Sequence, residues 1–219
     1  MTTLAIFDLD HTLLNGDSDH GWGEFLIQEK IIIDAKSYAQ RNNQFYQDYQ
    51  AGILDIKAYA NFVLAPIARL SKQQCIQLQQ QYMTEIIIPM VRQQACNIIE
   101  AHRQKGHQLI MITATNRFIT QPIAKYFNID TLLATEPEII NGKYTGLMTG
   151  VPCYQQGKVV RLEQWINKNN LTVDTSHAYS DSFNDLPLLQ WAKNPYAVTP
   201  DSTLKTYALK HNWPILNLS

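Results

Sequence analysis

The chain has 219 residues, of which 45% are hydrophobic and 17% charged, so it can form one large domain or one domain with a substantial insertion. Its formal net charge of −1 gives no general attraction to nucleic acid or to an anionic membrane surface. The N-terminus lacks the basic start of a signal peptide, no apolar stretch approaches the ~20 residues of a membrane span, and the three cysteines show neither zinc nor disulfide spacing. We therefore expect a cytoplasmic protein that binds neither nucleic acid nor membrane, and its oligomeric state stays open.

A short apolar run at residues 4–9 predicts a buried strand of a parallel sheet. Residues 15–20 are polar and contain a glycine, which predicts a loop. From residue 22 to about residue 85, apolar side chains recur every three or four positions between polar ones, which predicts helices without strands. We expect two parts, an α/β core of residues 1–15 and 86–219 and a small helical cap of residues 16–85.

After the cap, strand-like and helix-like segments alternate along the chain. We predict, in order, a helix from Pro89 to Lys105, a strand at 109–112 ending at Thr113, a helix after Asn116, a strand at 132–135, a hairpin around Asn141-Gly142, a helix at 157–167, a strand ending at Tyr179, a helix at 186–191 and a last strand at 196–199. This alternation predicts an α/β fold with a Rossmann-like doubly wound parallel sheet, and the cap inserted after its first strand. In such sheets, ligands bind at the carboxyl ends of the strands.

Two carboxylates, Asp8 and Asp10, come where the first predicted strand ends, and both can approach one site. A cation or a shared proton must relieve their mutual repulsion. One carboxylate can then act as a nucleophile while the other donates and accepts protons. The alternative is a polar exit from the strand, in which Asp10 only caps a turn.

Three further motifs fall at predicted strand or helix ends. The hydroxyl of Thr113 can donate to a phosphoryl oxygen or simply cap the next turn. Lys158 stands at a helix N-terminus, where a cation is disfavoured unless it reaches an anion. Asp181 and Asp185 offer oxygen ligands to a hard cation, and Asp181 can also cap the helix that follows. Each motif alone is weak, but the four in this order at four separate ends form a specific pattern.

Together the motifs resemble those of the haloacid dehalogenase superfamily, in its branch of phosphoserine phosphatase-like hydrolases. The run from Asp8 to Thr12 is similar to the first motif of that superfamily, Thr113 to the second, Lys158 to the third, and Asp181 with Asp185 to the fourth. The helical block looks like the small cap of that branch, and the hairpin at residues 139–150 looks like its flap. The resemblance covers essentially the whole chain.

This resemblance implies a phosphatase that works in two steps. Asp8 would form an aspartyl phosphate, and Asp10 would protonate the leaving alcohol and then activate water. Thr113 and Lys158 would hold the phosphoryl oxygens, and Asn184 would add a further contact. The rival classes are a phosphotransferase or phosphomutase of the same superfamily, and a non-catalytic binding module.

The resemblance also implies Mg²⁺ as the cofactor. Its expected ligands are the carboxylates of Asp8 and Asp181 and the backbone carbonyl of Asp10, with Asp185 supporting the metal site. Oxygen ligands of this kind suit a hard divalent cation.

The implied substrate is a small phosphorylated metabolite. Asp17 falls near the position of a glutamate that holds the amino group of the substrate in phosphoserine phosphatases. Residues 18–22 instead resemble a sister group in which some members act on histidinol phosphate. The carboxylate of phosphoserine requires a cap arginine, for which Arg41 and Arg69 are candidates, whereas histidinol phosphate requires none. Both substrates stay open at the level of sequence.

Overall fold

The structure, a computed structural model, describes residues 1–218 and is organised around one seven-stranded sheet. Its strands are β1 (Thr2–Phe7), β2 (Gln108–Asn116), β3 (Thr131–Ile140), β4 (Lys143–Thr149), β5 (Val173–Ser180), β6 (Asn194–Val198) and β7 (Ile215–Leu216). Their order across the sheet is β4-β3-β2-β1-β5-β6-β7, which puts β1 at the centre. All neighbouring pairs are parallel except β3 and β4.

Helices occupy most of the chain between these strands. They are α1 (Ser18–Gln28), α2 (Ala35–Gln50), α3 (Ile56–Leu64), α4 (Lys72–Tyr82), α5 (Ile88–Met90), α6 (Gln93–Gln104), α7 (Arg117–Tyr126), α8 (Gln156–Lys168), α9 (Leu186–Trp191) and α10 (Ser202–Lys210). Short helical turns of other types lie at Ile67–Arg69, Met83–Ile87 and Phe183–Asp185. No helix within residues 1–218 has the length and apolar character needed to cross a membrane.

Apolar side chains cover both faces of the sheet. In β1, Leu4 and Ile6 belong to one hydrophobic cluster while Ala5 and Phe7 belong to another, because successive side chains of a strand point to opposite faces. Helices α8, α9 and α10 supply apolar residues to the first cluster, and α1, α6 and α7 supply them to the second. The predicted α/β fold with a doubly wound sheet is therefore confirmed.

The predicted hairpin is also confirmed. Strands β3 and β4 are antiparallel, and Ile140 pairs with Lys143 across the turn. Asn141 and Gly142 both have positive φ angles, 52° and 76°. A two-residue turn with this backbone matches the twist of its strands, and Asn-Gly tolerates it well.

Four local predictions were wrong, and one of them, the end of β2, is described below with the site. Helix α1 begins inside the segment predicted as a loop, since the Asp17 carboxylate accepts hydrogen bonds from the first free N–H groups of the helix. Helix α6 begins at Gln93 and not at Pro89, because the intervening Val91 is extended and ends the short helix before it. A further strand, β7, follows β6, so the segment at 196–199 is not the last strand.

The helices between β1 and β2 pack on the rest of the molecule at more than one place. Helix α3 lies against β4, where the backbone N–H of Met148 donates to Asn61 Oδ1 at 2.9 Å, and α1 packs beside α7. The Trp22 ring lies 5.1 Å from the Tyr82 ring and 5.5 Å from the Phe118 ring of α7, and all three belong to one hydrophobic cluster. This packing holds the N-terminal end of α1 close to the sheet edge where β1 ends. The boundaries given above for a separate cap, residues 16–85, stay a prediction.

Candidate active site

Three neighbouring strands, β2, β1 and β5, bring predicted site residues to one edge of the sheet. Asp8 follows β1 directly and Asp181 follows β5, its neighbour. Thr113 lies within β2, which runs on to Asn116 with a break in its pairing after Ile112, so the prediction that this strand ends at Thr113 was wrong. The carboxyl ends of parallel neighbours meet at one edge, and this explains why distant residues line a common pocket.

Lys158 stands in the first turn of α8 and points into this edge. Its ammonium lies 2.7 Å from Asp8 Oδ1 and 2.6 Å from Asp185 Oδ2, and only 2% of the residue is exposed. Burial alone would lower the pKa of Lys158, but the carboxylates of Asp185 and Asp8 outweigh it and raise the pKa above its ordinary value. The lysine therefore stays charged and neutralises part of the acidic cluster.

The hydroxyl of Thr12 links the carboxylates of Asp8 and Asp181. Its oxygen lies 3.1 Å from Asp8 Oδ2 and 3.1 Å from Asp181 Oδ1, and it accepts the backbone N–H of Asp181. Burial, followed by the neighbouring charges of Asp8 and Asp185, raises the pKa of Asp181 well above its ordinary value. Asp8 and Asp181 thus form a pair of close carboxylates that lack a full countercharge.

Asp10 lies beside Asp8 and is held by neutral donors. The backbone N–H of Ser18 donates to Asp10 Oδ1, and the hydroxyl of Thr115 donates to Oδ2 at 2.8 Å. Burial and then the nearby Asp17 carboxylate raise the pKa of Asp10 to about 7. A carboxyl group with such a pKa can both give and take a proton near neutral pH.

Asp17 caps helix α1 at the rim of the same pocket. Its Oδ1 accepts the backbone N–H groups of Asp19 at 2.9 Å and of His20 at 2.7 Å. These bonds fix the carboxylate and use only one of its two oxygens.

The pocket encloses about 30 Å³ beneath helices α2 and α3. Its lining includes the predicted residues Asp8, Asp10, Asp17, Thr113, Lys158 and Asp185, together with Asp19, Phe45, Tyr46, Tyr49, Leu54, Ile56, Tyr59, Ala114, Thr115 and Tyr154. This volume holds about one water molecule, far below the ~300 Å³ of small ligand pockets. As it stands, the pocket is therefore smaller than a small-molecule ligand.

Asn184 has surroundings different from those expected of a substrate ligand. Its Nδ2 donates to the backbone carbonyl of Tyr49 at the C-terminal end of α2, at 2.9 Å. Its Oδ1 accepts from the Tyr154 hydroxyl and from Gln155 Nε2, each at 3.1 Å. Gln155 Nε2 also lies 3.4 Å from the carbonyl of Gly52. We call these five residues the cap latch, because they join α2 to the sheet domain.

Both candidate arginines lie away from the pocket. Arg41 and Arg69 line a separate open groove of about 890 Å³ on the cap. The Arg41 guanidinium lies 5.5 Å from the ring centre of Phe45 and 5.4 Å from that of Phe62. These cation–π contacts stabilise the charge of Arg41 without a substrate. Within residues 1–218, no arginine lines the carboxylate pocket.

Sequence reasoning missed three residues of the site. Thr12 lies within the first motif, but no contact was predicted for its hydroxyl, which joins Asp8 to Asp181. Thr115 bonds Asp10, and Asp19 lines the pocket as an additional carboxylate. The available signal was the Asp-Ser-Asp run that begins at Asp17, because two acidic residues there coincide with the start of a helix.

The chain belongs to the haloacid dehalogenase-like hydrolases, whose family model matches residues 5–190. It is similar to a histidinol-phosphatase of Neisseria meningitidis serogroup C (strain 8013), with 41% identity over 99% of each chain. It is also similar to a phosphoserine phosphatase of Mycobacterium tuberculosis (strain ATCC 25618 / H37Rv), with 27% identity over 98% of this chain and 70% of the relative. The prediction of a phosphatase in this superfamily is confirmed.

Solved structures agree with this family. A protein of unknown function from Bordetella pertussis Tohama I superposes with a TM-score of 0.94 at 36% identity, with all of both chains covered. A substrate-bound phosphoserine phosphatase superposes with a TM-score of 0.72 at 15% identity, over 99% of this chain and 93% of that chain. At such low identity, the second likeness establishes the fold alone.

Proposed function

We propose that this enzyme hydrolyses a small phosphomonoester through an aspartyl phosphate formed on Asp8. The observation that carries the proposal is that Asp8, Asp10, Thr113 and Lys158 line one enclosed pocket at the carboxyl edge of the sheet. We call Asp8, Thr113, Lys158 and Asp185, which line the pocket, together with Asp181, which Thr12 links to Asp8, the phosphate end. A binding module would have no use for two adjacent carboxylates in such different surroundings.

In the first step, an Asp8 oxygen attacks phosphorus while the bond from phosphorus to the leaving oxygen breaks. Asp10 gives its proton to that leaving oxygen, which its pKa of about 7 permits near neutral pH. In the second step, Asp10 removes a proton from water, the water oxygen attacks phosphorus, and the bond to Asp8 breaks. Phosphate leaves, and both carboxyl groups return to their starting state.

Lys158 and Thr113 are suited to stabilise the charge of the transferring group. Lys158 donates to Asp8 Oδ1, so its ammonium is already beside the oxygen atoms that receive phosphorus. Asp185 accepts from both Lys158 and the Ser180 hydroxyl, at 2.6 and 2.7 Å. We infer that Asp185 orients the lysine in addition to supporting a metal.

The donor set fits Mg²⁺. Within residues 1–218, no group of three or more His, Cys, Asp or Glu side chains is placed to hold a metal ion by side chains alone. Mg²⁺ is usually held by one or two carboxylates with water and substrate phosphate, so Asp8 and Asp181 with the Asp10 carbonyl suit it. Their excess negative charge also requires a cation. When bound, Mg²⁺ neutralises charge on the transferring phosphoryl group.

We propose histidinol phosphate as the preferred substrate. The similar protein from Neisseria meningitidis is named a histidinol-phosphatase, and 41% identity extends over nearly the whole chain. The pocket offers Asp17 to an amino group but no arginine to a carboxylate. Phosphoserine would bring its carboxylate into an acidic pocket, so the lack of an arginine disfavours phosphoserine as the substrate.

The three cysteines are free, which supports a reducing, cytoplasmic location.

The test is phosphate release from histidinol phosphate, phosphoserine and p-nitrophenyl phosphate, with Mg²⁺ or with chelator. We expect histidinol phosphate to have the highest kcat/KM and chelator to abolish release. Asp8→Asn should lower kcat by at least about 10³-fold because it removes the nucleophile, whereas the exposed Asp130→Asn should not change it. No release by folded protein would overturn the proposal, and transfer of phosphate to an alcohol would indicate a phosphotransferase.

A further inference from the structure

One carboxylate of the pocket has no part in the mechanism above. Asp19 stands in the first turn of α1, lines the pocket, and is only 6% exposed. Its carboxylate accepts a hydrogen bond from Asn116, whose Nδ2 lies 3.3 Å from Asp19 Oδ1. In the part of the chain that the structure describes, Asp19 forms no ion pair, whereas Asp8 and Asp185 share Lys158.

This isolation is energetically unfavourable in the free enzyme. Burial, followed by the charges of Asp17 and Asp10, raises the pKa of Asp19 well above its ordinary value. The N-terminus of α1 and the Asn116 amide offset only part of the cost, since neither carries a full positive charge. A cationic ligand in the pocket would supply the missing countercharge.

The rest of this region is aromatic. Phe45, Tyr46 and Tyr49 from α2, with Tyr59 from α3, line the pocket that contains Asp19. Aromatic faces attract cations and pack against flat rings. Carboxylates combined with aromatic rings therefore favour a leaving alcohol that carries positive charge and a planar group.

We propose that Asp19 determines substrate specificity by accepting an N–H from a cationic group of the leaving alcohol. This inference rests on the proposed phosphatase function and deepens it. Asp17 and Asp19 lie at the start of one helix, with the Asp19 backbone N–H bound to Asp17 Oδ1. The two carboxylates suit an alcohol with two N–H-bearing groups, an amine and an imidazole. We call Asp10, Asp17 and Asp19 the alcohol end of the pocket.

The alternative is that Asp19 only ties α1 to β2 through Asn116. Asp19→Asn separates these roles, because asparagine keeps the size and the acceptor oxygen while it removes the charge. Asp34→Asn is the matched control, since Asp34 is an exposed acidic cap of α2. Each variant is assayed with Mg²⁺ on histidinol phosphate and on p-nitrophenyl phosphate, whose leaving group is not cationic.

We expect Asp19→Asn to lower kcat/KM for histidinol phosphate by about 10- to 100-fold, mainly through KM, as loss of a charge-assisted hydrogen bond predicts. For p-nitrophenyl phosphate the change should stay within about threefold, and Asp34→Asn should change neither. An equal loss on both substrates, or no loss, would overturn the role of Asp19. If the wild type hydrolyses neither ester, the proposed function itself fails, which is a different outcome.

A second measurement needs no variant and applies even if Asp19→Asn does not fold. Histidinol, serine and glycerol are compared as inhibitors of p-nitrophenyl phosphate hydrolysis by the wild type. We expect histidinol to inhibit at concentrations at least about tenfold lower than the other two, because it alone offers two N–H-bearing groups without a carboxylate. Equal inhibition by all three would contradict the proposal.

Discussion

The two ends of the pocket are equally acidic but differ in how their charge is balanced. At the phosphate end, Lys158 binds Asp8 and Asp185 at 2.7 and 2.6 Å. At the alcohol end, Asp10 and Asp19 receive hydrogen bonds from neutral groups alone. The first end carries a permanent cation of the protein, and the second is left to be neutralised by protons or by a ligand. The same residue type therefore serves two purposes, according to its neighbours.

Replacement of Lys158 would leave the phosphate end, like the alcohol end, without a cation of the protein. We expect this change to have the largest effect on stability. Lys158→Met should lower the free energy of unfolding in chelator by about 3–5 kcal/mol, because it leaves two buried carboxylates without their cation. Urea unfolding measures the change. The control is Lys168→Met, an exposed lysine in the last turn of the same helix, for which we expect a change below about 1 kcal/mol. Equal urea midpoints for the two variants would contradict the comparison.

A pH titration of stability tests the alcohol end. Burial raises the pKa of Asp10 to about 7 in the folded protein from its ordinary value of 3.8, so the folded state binds more protons than the unfolded state between these values. Stability is therefore greatest at the acidic side of this window and falls as pH rises from about 4 to about 7. In chelator, Asp10→Asn should reduce this fall in unfolding free energy by on the order of 1–3 kcal/mol.

The control for that titration is Asp55→Asn, which changes an exposed cap of α3. Its stability should follow the wild-type curve over the same range of pH. Because other buried carboxyl groups also have raised pKa values, the difference between wild type and variant carries the test. A fall in stability from pH 4 to pH 7 that is as large in Asp10→Asn as in the wild type would contradict the assignment of Asp10 as a carboxyl group held largely protonated.

A variant of the cap latch tests whether the contacts of Asn184 hold α2 over the two ends of the pocket. We expect this variant to have the smallest effect. Asn184→Ala removes the bond to the Tyr49 carbonyl, so backbone amides at the C-terminal end of α2 should exchange hydrogen up to about tenfold faster. The kcat/KM for p-nitrophenyl phosphate should stay within about threefold of wild type. A large rise in KM for every ester would instead favour the substrate role expected from sequence. Asn167→Ala, at an exposed position of α8, is the control.

Much of the fold and the phosphate end could be predicted from local sequence. Apolar runs that end in Asp8 or just before Asp181 predict strands of a parallel sheet, and a lysine at a helix start predicts an anion nearby. Alternation of strands and helices then brings these ends to one edge, whatever the details of packing. Even the hairpin turn followed from the Asn141-Gly142 pair.

The alcohol end was less predictable, because it depends on how α1, α2 and α3 pack over the sheet. Arg41 and Arg69 were both candidates for a substrate carboxylate, but both line a separate groove. Asn184 was expected to bind substrate, and its amide instead bonds the end of α2. Helical periodicity shows which side chains are apolar, but not which neighbour each helix face meets.

By itself, the sequence determined the family, the sheet and the four motifs, since each depends on residues close together in the chain. Only the tertiary structure decided which carboxylates are paired. Asp19 is separated by 97 positions from its hydrogen-bond partner Asn116, and Lys158 by 150 positions from Asp8. Countercharge is a property of space and not of sequence distance, so the difference between the two ends of the pocket appears only when the chain is folded.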